Sequence, residues 1–197
     1  MKFEEWNPGV WNNEILLADV HKTLPGDGQE DIPWLVWLFE NPKSPIALPG
    51  HVDLFNHDCI HILLGRGILP QDEAFVIGFT MGNSEMTRPR HRTFFRWIAK
   101  HLYKIPYQFN DDHLRVYDLG YEAGRSTYRK NLNLCDFQHW IKHNKTVGDI
   151  RAFCNLYLDR LVTWRKKEQS LIHHSVESQR LSTDHNQLLI EKEMRFW

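Results

Sequence analysis

The chain has 197 residues, enough for one domain with a sizeable core, and a formal net charge of −1, which excludes the basic footprint of a nucleic-acid binder. Its three cysteines, Cys59, Cys135 and Cys154, are odd in number and sparse, which excludes a disulfide framework and points to reduced thiols. No run reaches the ~20 apolar residues that span a bilayer, and the opening Met1-Lys2-Phe3-Glu4-Glu5 lacks the regions of a secretory signal, so the expectation is a cytoplasmic protein with any membrane contact peripheral, at the inner face.

Turn signals at 7–9, 25–28, 41–42 and 49–50 punctuate the first fifty residues. Between them, 13–22 reads as a short helix. The apolar run 32–39 reads as a second helix, with Asp31 as candidate N-cap and Pro33 near its start.

Next comes His57-Asp58-Cys59-Ile60-His61. Helical residues four apart share one face, so over 57–64 the two imidazoles can grip one metal ion. Asp58, three residues before His61, leans toward the same point as a further ligand or as a proton acceptor. Cys59 points away and reads as a small buried residue. Gly65-Arg66-Gly67 ends this helix, and Pro70 suits the first turn of the next, over about 70–81, with Asp72 and Glu73 at its N-terminus. The short connection predicts antiparallel neighbours, with Glu73 facing His61. Four candidate ligands, His57, Asp58, His61 and Glu73, then converge, and Asp58 and Glu73 are also the candidate catalytic carboxylates. A divalent ion fits such a donor set, with iron, zinc, manganese and magnesium all open. Phe75 and Phe79 form one apolar stripe, read as core packing or as a ligand wall.

Residues 88–107 carry Arg88, Arg90, Arg92, Arg96, Lys100 and Lys104 among aromatic and aliphatic residues. That pattern suits a membrane interface, or a surface helix whose apolar face joins the core. A further helix spans 111–128, capped by Asp111 or Asp112. Its Arg125, four residues before Arg129, could receive a carboxylate or phosphate, or be solvated. Helices at 134–143 and 146–165 follow, the latter opened by Thr146. The stretch 166–197 is polar and reads as an extended helix or tail, giving a helical domain at 1–165 and a separate C-terminal segment. The fold class expected is all-α: a single-domain helical bundle with a metal-binding helical hairpin.

The spacing His57-Asp58-x-x-His61, then eleven residues, then Glu73, resembles the signature of the ubiquinone (coenzyme Q) biosynthesis family that stands fourth in the yeast series. Leu63-Leu64-Gly65, Ala74 and Phe79 are similar to the family's flanks, and Leu119-Gly120-Tyr121-Glu122-Ala123-Gly124 resembles a glycine-containing helix in it. The resemblance covers about residues 55–82. Asp72 replaces the family's usual glycine before the glutamate, and 49–53 lacks its arginine-rich approach to the first histidine. The resemblance implies an all-helical fold, a divalent metal at His57, Asp58, His61 and Glu73, and a hydrophobic channel for a polyprenyl tail, where Phe75 and Phe79 would lie. It also implies metal-dependent C1 decarboxylation with hydroxylation of a polyprenylated benzoate. The alternative it leaves open is a non-catalytic polyprenyl-lipid-binding scaffold that organises other quinone-biosynthesis proteins. A histidine–aspartate phosphohydrolase reading needs His51 as a third ligand, but His51 lies too close to His57 and Glu73 is left unexplained. A homodimer is a further expectation.

Overall fold

A computed structural model describes residues 6–25, 43–45, 47–105, 107–127, 132 and 135–180. Among them the chain is all-α. The helices are α1 (Leu17–His21), α2 (Leu54–Leu64), α3 (Pro70–Asn83), α4 (Pro89–His101), α5 (Asp111–Ser126), α6 (Phe137–Lys142), α7 (Val147–Phe153) and α8 (Leu158–Leu171). Residues 176–180 are also helical. The described residues hold no strand beyond an isolated bridge between Leu16 and Thr146. The expected helix at 32–39 lies outside the described residues.

α3 is the central element because its sequence is apolar or small nearly all round. Phe75, Val76 and Phe79 join a core with Trp6, Val10, Ile60, Leu63, Leu64 and Leu161. Ala74 and Met81 join a second core with Phe95, Ile98, Tyr103, Tyr117 and Tyr121. α3 lies chiefly along α5 and touches α2 in few places. Glycines four apart on each helix bring the two backbones together: a Cβ on Gly82 would sit 2.0 Å from the Tyr121 carbonyl oxygen, and one on Gly120 2.2 Å from that of Phe75.

Several boundaries differ from the sequence reading, each for a local reason. The first segment is helical only over Leu17–His21. α2 starts at Leu54 because Asp53 caps it, accepting the Asn56 N–H at 3.0 Å. It ends where expected, at Gly65, whose φ of 65° suits a residue without Cβ. α4 stops at His101, short of 107. α5 is capped by Asn110, which accepts the His113 N–H at 2.8 Å, rather than by Asp111 or Asp112. α6 starts at Phe137 under an Asp136 cap. The single helix expected over 146–165 is two. Thr146 does cap α7, but Asn155 takes a left-handed φ of 56° and ends that helix. α8 then runs without a break across 165–166, burying Leu161, Arg165 and Glu168.

Candidate metal centre

The capped α2 presents His57 and His61 one turn apart, with ring centroids 4.6 Å apart. The left-handed Gly65 reverses the chain, and Pro70 opens α3 so that Glu73 falls in its first turn. Glu73 Oε2 lies 3.5 Å from His57 Nε2, and Oε1 lies 3.3 Å from His61 Nε2. One ligand atom from each of His57, His61 and Glu73 lies within 4.8 Å of the others, so the group could hold a metal ion. His61 is fully buried, whereas His57 and Glu73 are partly exposed, so the group opens to solvent on one side.

Asp58 is not in that group. Its carboxylate faces His21 of α1, Oδ2 to Nε2 at 3.8 Å. Burial pushes its carboxyl up to about 7, with the charges of Glu73 and Asp53 adding to the rise against that of His61. His57 moves the other way: burial pushes its imidazole down to about 4, against the charge of Glu73. It is therefore neutral near pH 7, as a metal ligand must be.

The state of His61 follows from its other nitrogen. Nδ1 lies 2.6 Å from the Gly67 carbonyl oxygen, which can only accept, so Nδ1 carries the hydrogen. A neutral His61 then turns a bare Nε2 lone pair toward the Glu73 carboxylate. Two acceptors at 3.3 Å repel one another unless a cation lies between them. His61 Nε2 is buried and makes no aligned hydrogen bond. In the metal-free chain a proton answers this demand. Burial favours the neutral imidazole, yet the Glu73 charge outweighs it and the His61 pKa rises, while the two histidines hold Glu73 below its usual range against its own burial. The donors therefore fit a divalent cation: one buried nitrogen faces a carboxylate without an aligned hydrogen bond, one imidazole is neutral, and one carboxylate is ionised.

Phe75 and Phe79 are both buried, and the Arg66 guanidinium lies 3.7 Å over the Phe75 ring. They line a cavity with Leu64, Tyr157, Leu161 and Trp164 of about 10 Å³, room for one water molecule. Arg125 is exposed on the last turn of α5, 6.0 Å from the Tyr121 ring. Cys59 is fully buried in the core, as the helical angle predicts.

The sequence reading missed a buried polar cluster behind His61 and Glu73. Glu168 of α8, fully buried, accepts from Arg66 on one oxygen and from Gln71 Nε2 at 2.6 Å on the other. Gln71 Nε2 also donates to Ser178 Oγ at 3.0 Å, and Arg165 donates to the Gly65 carbonyl. A signal was present: Leu161, Arg165, Glu168 and Ile172 follow one helical stripe, which puts both charges on the core face.

No protein-family model, curated protein or solved structure matches this chain.

Proposed function

We propose that the protein holds a divalent metal at His57, His61 and Glu73 and acts in ubiquinone synthesis, removing the C1 carboxylate of a polyprenylated benzoate and hydroxylating that carbon. The observation that carries the metal is the buried Nε2 of His61 facing a carboxylate with its other nitrogen already spent on Gly67. The motif resemblance over 55–82 supports the reaction class. A bound divalent ion would supply a Lewis acid and a template for a ring oxygen. Replacing a carboxyl by a hydroxyl with loss of carbon dioxide also requires a two-electron oxidant that contributes one oxygen atom.

The chain's own residues supply the rest. His57, neutral, and Glu73, ionised, face the open side. Asp58 keeps its proton up to about pH 7 beside His21, so it is poised to exchange a proton near neutrality. Phe75 and Phe79 are assigned the wall for the prenyl tail. The cavity there has room for about one water molecule, so a prenyl tail would need its lining side chains to move apart. Arg125, between the lining residues Ala123 and Ser126, is assigned the anionic end of the substrate.

The test is elemental analysis of the purified protein beside Glu73→Gln. About one metal per chain, lost in the variant while the helical spectrum stays, is the expected result, followed by turnover of a prenylated hydroxybenzoate with dioxygen. Metal retained unchanged in Glu73→Gln would overturn the ligand assignment. Metal and lipid bound without turnover would transfer the reading to the polyprenyl-binding scaffold.

A further inference from the structure

The connection between α2 and α3 is held from behind by a helix about a hundred residues further on. Two of its residues grip His61: the Arg66 N–H donates to the His61 carbonyl at 2.8 Å, and the Gly67 carbonyl accepts from His61 Nδ1 at 2.6 Å. The orientation of the imidazole therefore depends on where 65–67 lies. That position is set by α8, through Arg165 on the Gly65 carbonyl and Glu168 on the Arg66 side chain. The second oxygen of Glu168 takes Gln71, two residues before Glu73. One buried carboxylate thus bridges the turn that aims His61 and the helical turn that carries Glu73.

We propose that Glu168 is a positioning residue of the metal centre, acting through Arg66 and Gln71 to fix the distance between His61 and Glu73. The proposal rests on the metal reading above. Glue between helices alone would not require both oxygens to be placed on the two segments that bear ligands. Glu168 has no exposure through which to touch a substrate, so its effect passes entirely through its partners. Outer partners that orient a ligand are worth about 10–100-fold in metal affinity.

The experiment uses the full chain and the double variant Arg66→Met/Glu168→Met. It removes both charges together, so neither is left buried alone, and replaces them with side chains of similar length. Two readouts are taken. One is the dissociation constant and visible spectrum of Co²⁺ as the probe metal. The other, on metal-free protein, is the nitrogen-15 and proton signal of the His61 Nδ1–H. The expected result is a folded variant that binds Co²⁺ about 10–100-fold more weakly, with a changed spectrum and a faster-exchanging Nδ1–H. A folded variant with wild-type affinity and a wild-type His61 signal overturns the proposal. If the wild-type chain binds no Co²⁺, the metal reading falls and the His61 signal alone decides whether Glu168 positions that ring. If the double variant does not fold, Glu168→Asp answers the same question. It keeps the charge and shortens the reach by one carbon, and it is expected to weaken Co²⁺ binding several-fold, while unchanged binding counts against the proposal.

Discussion

His57 and Asp58 are neighbours in the chain, and burial drives them in opposite directions on the pH scale, each toward its neutral form. For Asp58 the sign is direct. Folding raises its pKa from 3.8 to about 7, so the folded state keeps a proton that the unfolded chain releases. Stability is undiminished below about 3.8 and falls as the pH rises through about 7. Asp58→Asn removes that loss. The metal-free variant is expected to exceed wild type by about 2–4 kcal/mol at pH 8 and to match it near pH 3, measured by urea unfolding in chelator. Equal stability at pH 8 would show that burial does not raise the Asp58 pKa in the fold. His61 gives a second prediction. Its raised pKa means that, near pH 6, metal binding displaces the proton held against Glu73. Titration calorimetry in buffers of different ionisation enthalpy should find about one proton released per ion at pH 6. Binding without proton release at pH 6 would rule out a protonated resting His61. At this scale much was legible in sequence. The i, i+4 histidines, the stop at Gly65 and the start at Pro70 are local rules, and together they delivered Glu73 to the imidazoles. The direction of Asp58 was not legible, because His21 meets it from another helix.

At the scale of elements, the close pair α3 and α5 and the outward face of α4 carry separate predictions. The α3–α5 contact has no room for a methyl group at Gly82 or Gly124, where an added Cβ would lie 2.0 and 2.1 Å from carbonyl oxygens. Gly82→Ala and Gly124→Ala are each expected to cost about 2–3 kcal/mol or more in urea unfolding, because the obstructing atoms are backbone. Variants of wild-type stability would mean that the helices do not pack this closely. On α4, Phe95, Ile98 and Ala99 face inward, while Trp97 is 52% exposed and the nearby Ile105 86% exposed. Arg92, Arg96 and Lys100 are engaged with Asp118, Glu122 and Asp111. Arg88, Arg90 and Lys104 are in none of the described ion pairs, and residues 86–107 include no acidic side chain. Under the proposed function, that face would meet an anionic membrane, where a prenylated substrate would reside. Co-sedimentation with vesicles containing about a third phosphatidylglycerol should be clear for wild type and weak for Trp97→Ser/Ile105→Ser. Equal sedimentation of the two would remove α4 from the contact. Among the described residues no helix is long and apolar enough to cross a membrane. Helix existence was legible here from period and caps. The breaks were less so: Asn155 looks like one more polar residue in a helical period, until its left-handed conformation splits the segment in two.

The whole molecule is tied together by buried arginines, which no window of sequence reveals as such. Arg151 of α7 is 2% exposed and has four acceptors: the carbonyls of Leu63, Ile62 and Val10, at 2.8, 3.2 and 2.5 Å, and Asn13 Oδ1 at 2.7 Å. It caps the C-terminal end of α2, where the helix dipole favours a cation, and binds the N-terminal segment to it. Burial, reinforced by Arg165, pulls its pKa down to about 9. Arg151→Met should cost about 3 kcal/mol or more, since it strands those acceptors in the core. A loss below about 1 kcal/mol would mean that water replaces the guanidinium. Composition and periodicity gave the all-α class. They are silent on pairs such as Arg66 and Glu168, which lie 102 residues apart and obey no period. That separation also sets an order in time. At about 5–20 residues per second of synthesis, Glu168 is made roughly 5–20 s after Arg66. During that interval the nascent chain already carries both histidines and Glu73 but lacks the carboxylate proposed to align them, so under the proposed function metal capture in the mature geometry would be a late event in the birth of this protein, following the arrival of α8.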